Sequence, residues 1–185
     1  MKRAVFIDRD GVVNRVCYHD EKGIYSATSM KEFKVLPGVR GAIKRFKSAG
    51  FLVIVITNQP GIAFGYIKKE DVDEINGFMQ SELGVDAVYS CYHHPEFTGG
   101  CDCRKPGDGL LKTAAGDFGI DISRSFMIGD NLSDIEAGGK CRATFLVVKK
   151  KTVELLNLIE EKGIRPTHIT KSMEEAADII FTTYI

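Results

Sequence analysis

Apolar residues in this chain come in short compact runs that alternate with stretches spaced for a helix. Ala4-Val-Phe-Ile7 is a β-type run that stops abruptly at Asp8-Arg-Asp-Gly11. Val39, Ile43 and Phe46 recur at helical spacing, with Gly50 where a helix-ending glycine belongs. Phe51-Leu-Val-Ile-Val-Ile56 is apolar throughout and rich in β-branched residues, the pattern of a strand buried on both faces. Val72, Ile75, Met79 and Leu83 form one stripe of a helix over 68–83, which Gly84 stops. Ala87–Ser90, Ser125–Ile128 and Thr144–Val148 read as further strands, with a sixth near Thr167–Thr170. Helices are expected over Leu110–Phe118, around Ile135 and Ala137, over Val153–Ile159 and over Met173–Ile180. This alternation implies βαβ units and a sheet covered on both faces. The expected fold is α/β, a doubly wound and mostly parallel sheet. No repeat or linker interrupts the 185 residues, so a single domain over 1–185 is expected.

Sheets of this kind bind ligands beyond the carboxyl ends of their strands, where the strand order reverses. The polar clusters fall at such ends: Asp8/Asp10, Thr57/Asn58/Gln59, Cys91/His93 and Asp130 each follow a predicted strand.

Composition narrows the field of partners. Lys+Arg and Asp+Glu both number 25, so the formal net charge is zero. That argues against duplex nucleic acid or an anionic membrane as a partner held mainly by charge. No apolar run approaches the roughly 18 residues of a membrane span, and the start of the chain lacks a signal-peptide core. Self-association stays open, with a monomer favoured. No G-x-G-x-x-G follows the first strand and no G-x-x-x-x-G-K-[ST] occurs, which excludes the common dinucleotide and P-loop sites. Three of the five cysteines crowd between Cys91 and Cys103. That clustering suits a metal site in a reducing compartment, the cytoplasm, better than a disulfide framework.

Asp8 and Asp10 point to one side of an extended chain end, and Gly11 lets the backbone turn. A carboxylate can attack phosphorus to give an aspartyl-phosphate, and its neighbour can serve as general acid and then general base. Two acids repel a phosphate unless a divalent cation intervenes, and oxygen ligands suit Mg²⁺. Asp130 offers a third carboxylate. Taken alone, Asp-x-Asp-Gly reads equally well as a turn. Cys91, His93, Cys101 and Cys103 form C-x-H-x7-C-x-C, the donor set of a closed, structural zinc site. His94 is the alternative to His93 as ligand. This glycine-rich loop runs straight into Arg104-Lys105, so the metal would also position that lysine. Cys17 and Cys141 stand outside the cluster.

Four segments carry a resemblance. Ile7-Asp8-Arg9-Asp10-Gly11-Val12-Val13-Asn14 resembles motif I of the haloacid dehalogenase (HAD) phosphatases. Ile56-Thr57-Asn58-Gln59 resembles motif II, Lys105 within Cys103-Arg-Lys-Pro106 motif III, and Ile128-Gly129-Asp130-Asn131-Leu132-Ser133-Asp134 motif IV. They stand in the family's order across residues 4–148. The resemblance implies Asp8 as nucleophile, Asp10 as general acid/base, Thr57 as hydroxyl donor to the phosphoryl group and Lys105 as the neutralising cation. It implies Mg²⁺ held by Asp8, Asp130 and the backbone carbonyl of Asp10. Asp134 either hydrogen-bonds within its motif or simply favours a helix first turn.

The Cys/His loop is similar to that of the D-glycero-D-manno-heptose 1,7-bisphosphate 7-phosphatase and histidinol-phosphate phosphatase family. There a zinc loop and short insertions stand in for a cap domain. That likeness implies no large cap, an open site and a small phosphorylated metabolite as substrate. It implies a Mg²⁺-dependent phosphomonoesterase removing the 7-phosphate of the heptose bisphosphate. The alternatives are a histidinol-phosphate phosphatase or, in another class, a catalytically degenerate zinc-loop binding module. Asn58, Gln59, Arg104 and Asn131 are the expected substrate contacts. Two features depart from the family: Asn131 stands where its members carry Lys or Arg, and the Arg15–Lys34 segment is longer than expected. A neutral amide offers no charge to a second anion, whereas the planar fork of Arg104 could still grip one.

Overall fold

A computed structural model describes residues 1–21 and 23–185; Lys22, inside the Arg15–Lys34 segment, lies outside the described residues. The chain runs β1 (Arg3–Ile7), β2 (Cys17–His19), β3 (Gly23–Tyr25), α1 (Val39–Ser48), β4 (Phe51–Asn58), α2 (Lys69–Glu82) and β5 (Ala87–Cys91). It continues with α3 (Pro95–Thr98), α4 (Gly109–Phe118), β6 (Phe126–Gly129), α5 (Leu132–Ala137), β7 (Ala143–Val147), α6 (Val153–Lys162), β8 (His168–Thr170) and α7 (Met173–Thr183). Six strands form one parallel sheet in the order β5-β4-β1-β6-β7-β8. The chain steps outward from β1 to β4 and β5, crosses back to β6, then steps outward the other way. Strand order therefore reverses between β1 and β6, which is where a ligand site belongs.

Successive side chains of a strand face opposite sides, so a strand covered on both faces must be apolar at every position. Val5, Ile7, Val53, Val55 and Ile128 pack on one face against α1, α2 and α7. Ala4, Phe6, Ile54, Ile56 and Met127 pack on the other against Leu110, Leu111 and Ala114 of α4. Leu132 and Ile135 of α5 meet Leu146 of β7 and the Leu155/Ile159 edge of α6 in a smaller third cluster.

Two elements depart from the sequence expectation. Within the Arg15–Lys34 segment, Cys17–His19 and Gly23–Tyr25 pair as an antiparallel hairpin. Each strand has only three residues, and Tyr18 and Ile24 are exposed, so there was no alternation to detect. The single-turn helix α3 interrupts the cysteine loop, started by Pro95 at its first turn and by His94 as its cap. Apart from one 3₁₀ turn at Ile122–Arg124, these are the only elements among the described residues outside the strand–helix alternation, and none of them forms a large cap domain. Among the described residues no helix is long and apolar enough to cross a membrane.

Phe46 links α1 to the core and stacks on Phe181 of α7 with ring centroids 6.0 Å apart. Phe46→Ala should cost about 3–5 kcal/mol of stability. A urea titration measures it; a loss below about 1 kcal/mol would mean the α1–α7 seam collapses around the gap.

Candidate active site

A cavity of about 300 Å³ opens at the switch point. Asp8 and Asp10 reach it from the end of β1, Thr57 and Asn58 from β4, and Asp130 from the end of β6. The hairpin side contributes Val16, Ile24, Tyr25 and Ser26.

Lys105 anchors its floor. Its ammonium lies 2.7 Å from Asp8 Oδ1, donates to the Ile56 carbonyl at 2.9 Å, and sits 2.6 Å from Asp134 Oδ1. The last contact is an ion pair rather than an aligned hydrogen bond. Lys105 and Asp134 side chains are 3% and 1% exposed, so this charge cluster is sealed from water on the inner side. Burial opposes the charge on Lys105, but Asp8 and Asp134 outweigh it and hold the ammonium above the ordinary lysine range. The acids respond unequally. Burial pushes Asp8 up to about 8, against the pull of Lys105 and with help from Asp134 and Asp130. Burial and Asp134 push Asp130 up to about 7.

Asp10 has the opposite environment. Burial raises its proton affinity, yet Arg9, Asn14 and Gln59 bring it below the usual carboxylate range. Arg9 Nε lies 3.1 Å from Asp10 Oδ2, Gln59 Nε2 donates to the same oxygen at 2.8 Å, and Asn14 Nδ2 donates to Oδ1 at 3.0 Å. Arg9 is fully buried and also donates to Gln59 Oε1 at 2.9 Å.

Two glycines make the close approaches possible. Gly11 has φ +86°, and a Cβ there would lie 1.9 Å from Asp130 Oδ2. A Cβ on Gly129 would lie 2.1 Å from the Cβ of Asp134. Any side chain at either position would push apart the acids the site gathers.

The remaining expected residues divide by what they touch. Asn58 clamps the Lys105 backbone from both sides: its Nδ2 donates to the Lys105 carbonyl and its Oδ1 accepts the Lys105 N–H, each at 3.1 Å. Arg104 lines the cavity and donates to the His93 carbonyl at 3.2 Å. Asn131 is exposed at the rim and caps α5, its Oδ1 accepting the Ser133 N–H at 3.2 Å while Asp134 Oδ2 accepts the Asn131 N–H at 3.0 Å. Asp134 thus combines the two roles the sequence left open, hydrogen-bonding within its motif from the first turn of α5, and adds a pairing with Lys105 that the sequence did not suggest. Gln59, expected among the substrate contacts, does not line the cavity; it is 1% exposed and its amide is fully occupied by protein partners.

Arg9 and Asn14 were not singled out as site residues from the sequence. The signal existed: with Asp8 and Asp10 aimed one way, the side chain between them must turn into the protein, and a buried guanidinium needs acid and amide partners. The hairpin's Tyr25 and Ser26 left no comparable signal.

Oxygen atoms of Asp8, Asp130 and Asp134 come within 4.8 Å of one another. Asp134 is committed to Lys105 and the Asn131 N–H, and the side chain of Asp10 to Arg9, Asn14 and Gln59. Asp8 and Asp130 remain, with the backbone carbonyl as what Asp10 can still offer. Burial first, and then the neighbouring acids, raise the proton affinities of Asp8 and Asp130, and a hard dication fits such an oxygen set.

Cys91, His93, Cys101 and Cys103 converge separately. Cys103 Sγ lies 3.2 Å from Cys91 Sγ, from Cys101 Sγ and from His93 Nδ1. Cys91 Sγ lies 3.6 Å from Cys101 Sγ and from His93 Nδ1, and none of these thiols is in a disulfide. Ligands about 2.3 Å from a tetrahedral zinc stand about 3.8 Å apart, close to this spacing. Burial and the neighbouring thiols push Cys103 up to about 12 and burial raises Cys91, whereas at Cys101 burial is outweighed by hydrogen bonds, led by that of Cys103, which bring it below the ordinary thiol range. His94 faces elsewhere: its ring packs on Phe64 at 4.7 Å and its Nδ1 caps α3, which leaves His93 in the cluster.

The HAD-hydrolase-like family model matches residues 102–176. D-glycero-alpha-D-manno-heptose-1,7-bisphosphate 7-phosphatase of Campylobacter jejuni is 34% identical over 180 residues, covering 88% of this chain and 98% of that one. The chain belongs to the heptose-1,7-bisphosphate 7-phosphatase family. The corresponding beta-anomer enzyme of Rhodopseudomonas palustris is 39% identical over 144 residues, 72% of this chain and 76% of that one. The structure of D,D-heptose 1,7-bisphosphate phosphatase from B. bronchiseptica, complexed with magnesium and phosphate, superposes with TM-score 0.78. It is 30% identical and covers 98% of each chain. Members of this family are HAD-type phosphatases, and so is this chain.

The raised pKa of Asp130 has a consequence for stability. Between its ordinary 3.8 and about 7, the folded chain binds a proton there that the unfolded chain has released, so Asp130 destabilises the fold increasingly as pH rises. In magnesium-free buffer, Asp130→Asn should gain stability relative to wild type from about pH 4 to pH 7. Paired urea titrations across that range check it; a constant difference would show that Asp130 titrates normally.

Proposed function

We propose that this heptose-bisphosphatase relative cleaves the 7-phosphate ester of D-glycero-D-manno-heptose 1,7-bisphosphate and passes the phosphoryl group through Asp8. One observation carries the reading: a carboxylate at the cavity floor, 2.7 Å from a buried ammonium, with a second acid held ionised two residues away. Asp8 attacks phosphorus while the bond to the sugar oxygen breaks, and Asp10 delivers a proton to that oxygen. A water then attacks phospho-Asp8 and gives its proton to Asp10. The Asp8–phosphorus bond breaks and inorganic phosphate leaves. Arg9 favours ionised Asp10 before substrate arrives; the negative phosphoryl group opposes Arg9 and favours the protonated form that the first step needs. Lys105 and the Thr57 hydroxyl offset charge on the phosphoryl oxygens. Mg²⁺ bound by Asp8, Asp130 and the Asp10 carbonyl would screen the attack of one anion on another.

Arg104 at the rim is the cation in reach of the distal phosphate. Asn131, which lines the cavity and caps α5 through its Oδ1, brings no charge to that task. We assign zinc to Cys91, His93, Cys101 and Cys103, where it would stiffen the loop leading to Lys105. Free thiols and a zinc site fit the cytoplasm.

Phosphate release with Mg²⁺ should be fastest from one anomer of heptose 1,7-bisphosphate and slow from histidinol phosphate. A preference for histidinol phosphate would overturn the substrate assignment, and full turnover by Asp8→Asn, expected to lose roughly 10³-fold or more, would overturn the covalent route. Elemental analysis after metal-replete expression should find about one zinc per chain, lost in Cys101→Ser; no zinc in the wild type would refute that site.

A further inference from the structure

Gln59 lies just beyond β4, and its backbone N–H donates to the Cys91 carbonyl at 2.7 Å. Its side chain is sealed beneath the cavity rather than facing it. Every hydrogen-bonding group of the amide is in use. Oε1 accepts from Arg9 Nη2 at 2.9 Å, and Nε2 donates to both Asp10 Oδ2 and Thr57 Oγ1 at 2.8 Å. A guanidinium can only donate, so Arg9 fixes which end of the amide faces it. The nitrogen must then face Asp10 and Thr57.

Two effects follow on groups the proposed reaction uses. Thr57 Oγ1 is an acceptor toward Gln59, so its hydroxyl hydrogen is left to donate elsewhere, and Thr57 lines the cavity where the phosphoryl group would sit. Asp10 is held by Gln59 and Arg9 on Oδ2, with Arg9 Nη2 at 3.3 Å and Asn14 at 3.0 Å on Oδ1. Its carboxylate plane is therefore set before any substrate binds. We infer that Arg9 and Gln59 are positioning residues, a guanidinium–amide pair that aims the Asp10 carboxylate and the Thr57 hydroxyl hydrogen at the phosphoryl group without touching it. The inference rests on Asp10 as the proton carrier of the proposed reaction.

The test separates positioning from mere support. Gln59→Glu keeps a partner for Arg9 but removes both donors and sets a carboxylate against Asp10. Gln59→Met removes the polar group altogether and guards against a fold failure in the first variant. Each is assayed with Mg²⁺ on p-nitrophenyl phosphate, whose leaving group departs without a proton. Phosphorylation of Asp8, which loses only the aim of the Thr57 hydroxyl, should slow by less than about tenfold, while hydrolysis of phospho-Asp8, which also needs Asp10 as base, slows by about 10²-fold or more. The readout is a burst of about one p-nitrophenol per chain followed by slow turnover, with kcat/KM within about tenfold and Tm within about 3 °C of wild type. Steady-state turnover within about threefold of wild type in both variants would overturn the inference. So would an equal loss of the burst and the slow phase, because a structural role harms both. Wild-type protein that releases no phosphate from any ester would instead defeat the phosphatase mechanism beneath it.

Discussion

The buried ammonium of Lys105 is the constraint on which the site depends. It has three partners: two acceptors, Asp8 at the end of β1 and the Ile56 carbonyl of β4, and an ion pair with Asp134 in the first turn of α5. These elements approach from both sides of the strand-order reversal, so one cation ties the two wings of the sheet together at the switch point. A cation this deeply buried is tolerable only when its acids are in place. The same requirement dictates the glycines, since Gly11 and Gly129 are where a Cβ would push into Asp130 and Asp134.

Charge arithmetic extends the point. Asp8, Asp10, Asp130 and Asp134 bring four potential negative charges to the cavity and its walls; Arg9 and Lys105 bring two positive ones to its inner side and Arg104 a third at its rim. Negative charge is in surplus, and a divalent cation would offset it. The surplus is not evenly spread. Arg9 satisfies Asp10 and Lys105 serves Asp134 and one side of Asp8, so the deficit settles on Asp8 and Asp130, whose proton affinities are raised. The acid meant to carry protons and the acid meant to attack phosphorus are thereby separated by environment rather than by residue type.

How much of this was legible in the sequence depends on how each residue earns its position. The central strands were legible because covering both faces leaves no polar position, as in Phe51–Ile56. The hairpin over Cys17–Tyr25 was not, because it is short and half exposed and nothing periodic marks it. The clustering of Asp8, Thr57, Lys105 and Asp130 followed from strand ends and from the resemblance. The partners of each side chain did not. Gln59 follows Asn58 by one residue, yet Asn58 turns to the Lys105 backbone and Gln59 to Arg9 and Asp10. Side-chain alternation gives a direction but not a reach, and in a buried network the reach decides the role. Asn131 shows the reverse: Asn-x-x-Asp before an apolar run is a capping pattern that can be read locally, and the structure adds that role to a residue that also lines the cavity.

The Cys/His loop bears on the same ammonium. Cys103 stands two residues before Lys105, Arg104 donates to the His93 carbonyl, and Asn58 holds the Lys105 backbone at both its N–H and its carbonyl. The chain entering the site is thus pinned on one side by a compact cluster of three thiols and one imidazole and on the other by β4. A charge that must stabilise a transition state acts best when it need not move to do so, because reorganisation would consume part of its effect. Cap domains achieve this by closing over bound substrate. With no large cap, a fixed Lys105 must be prepared in advance, and the loop that leads to it is where such a fold can place that rigidity.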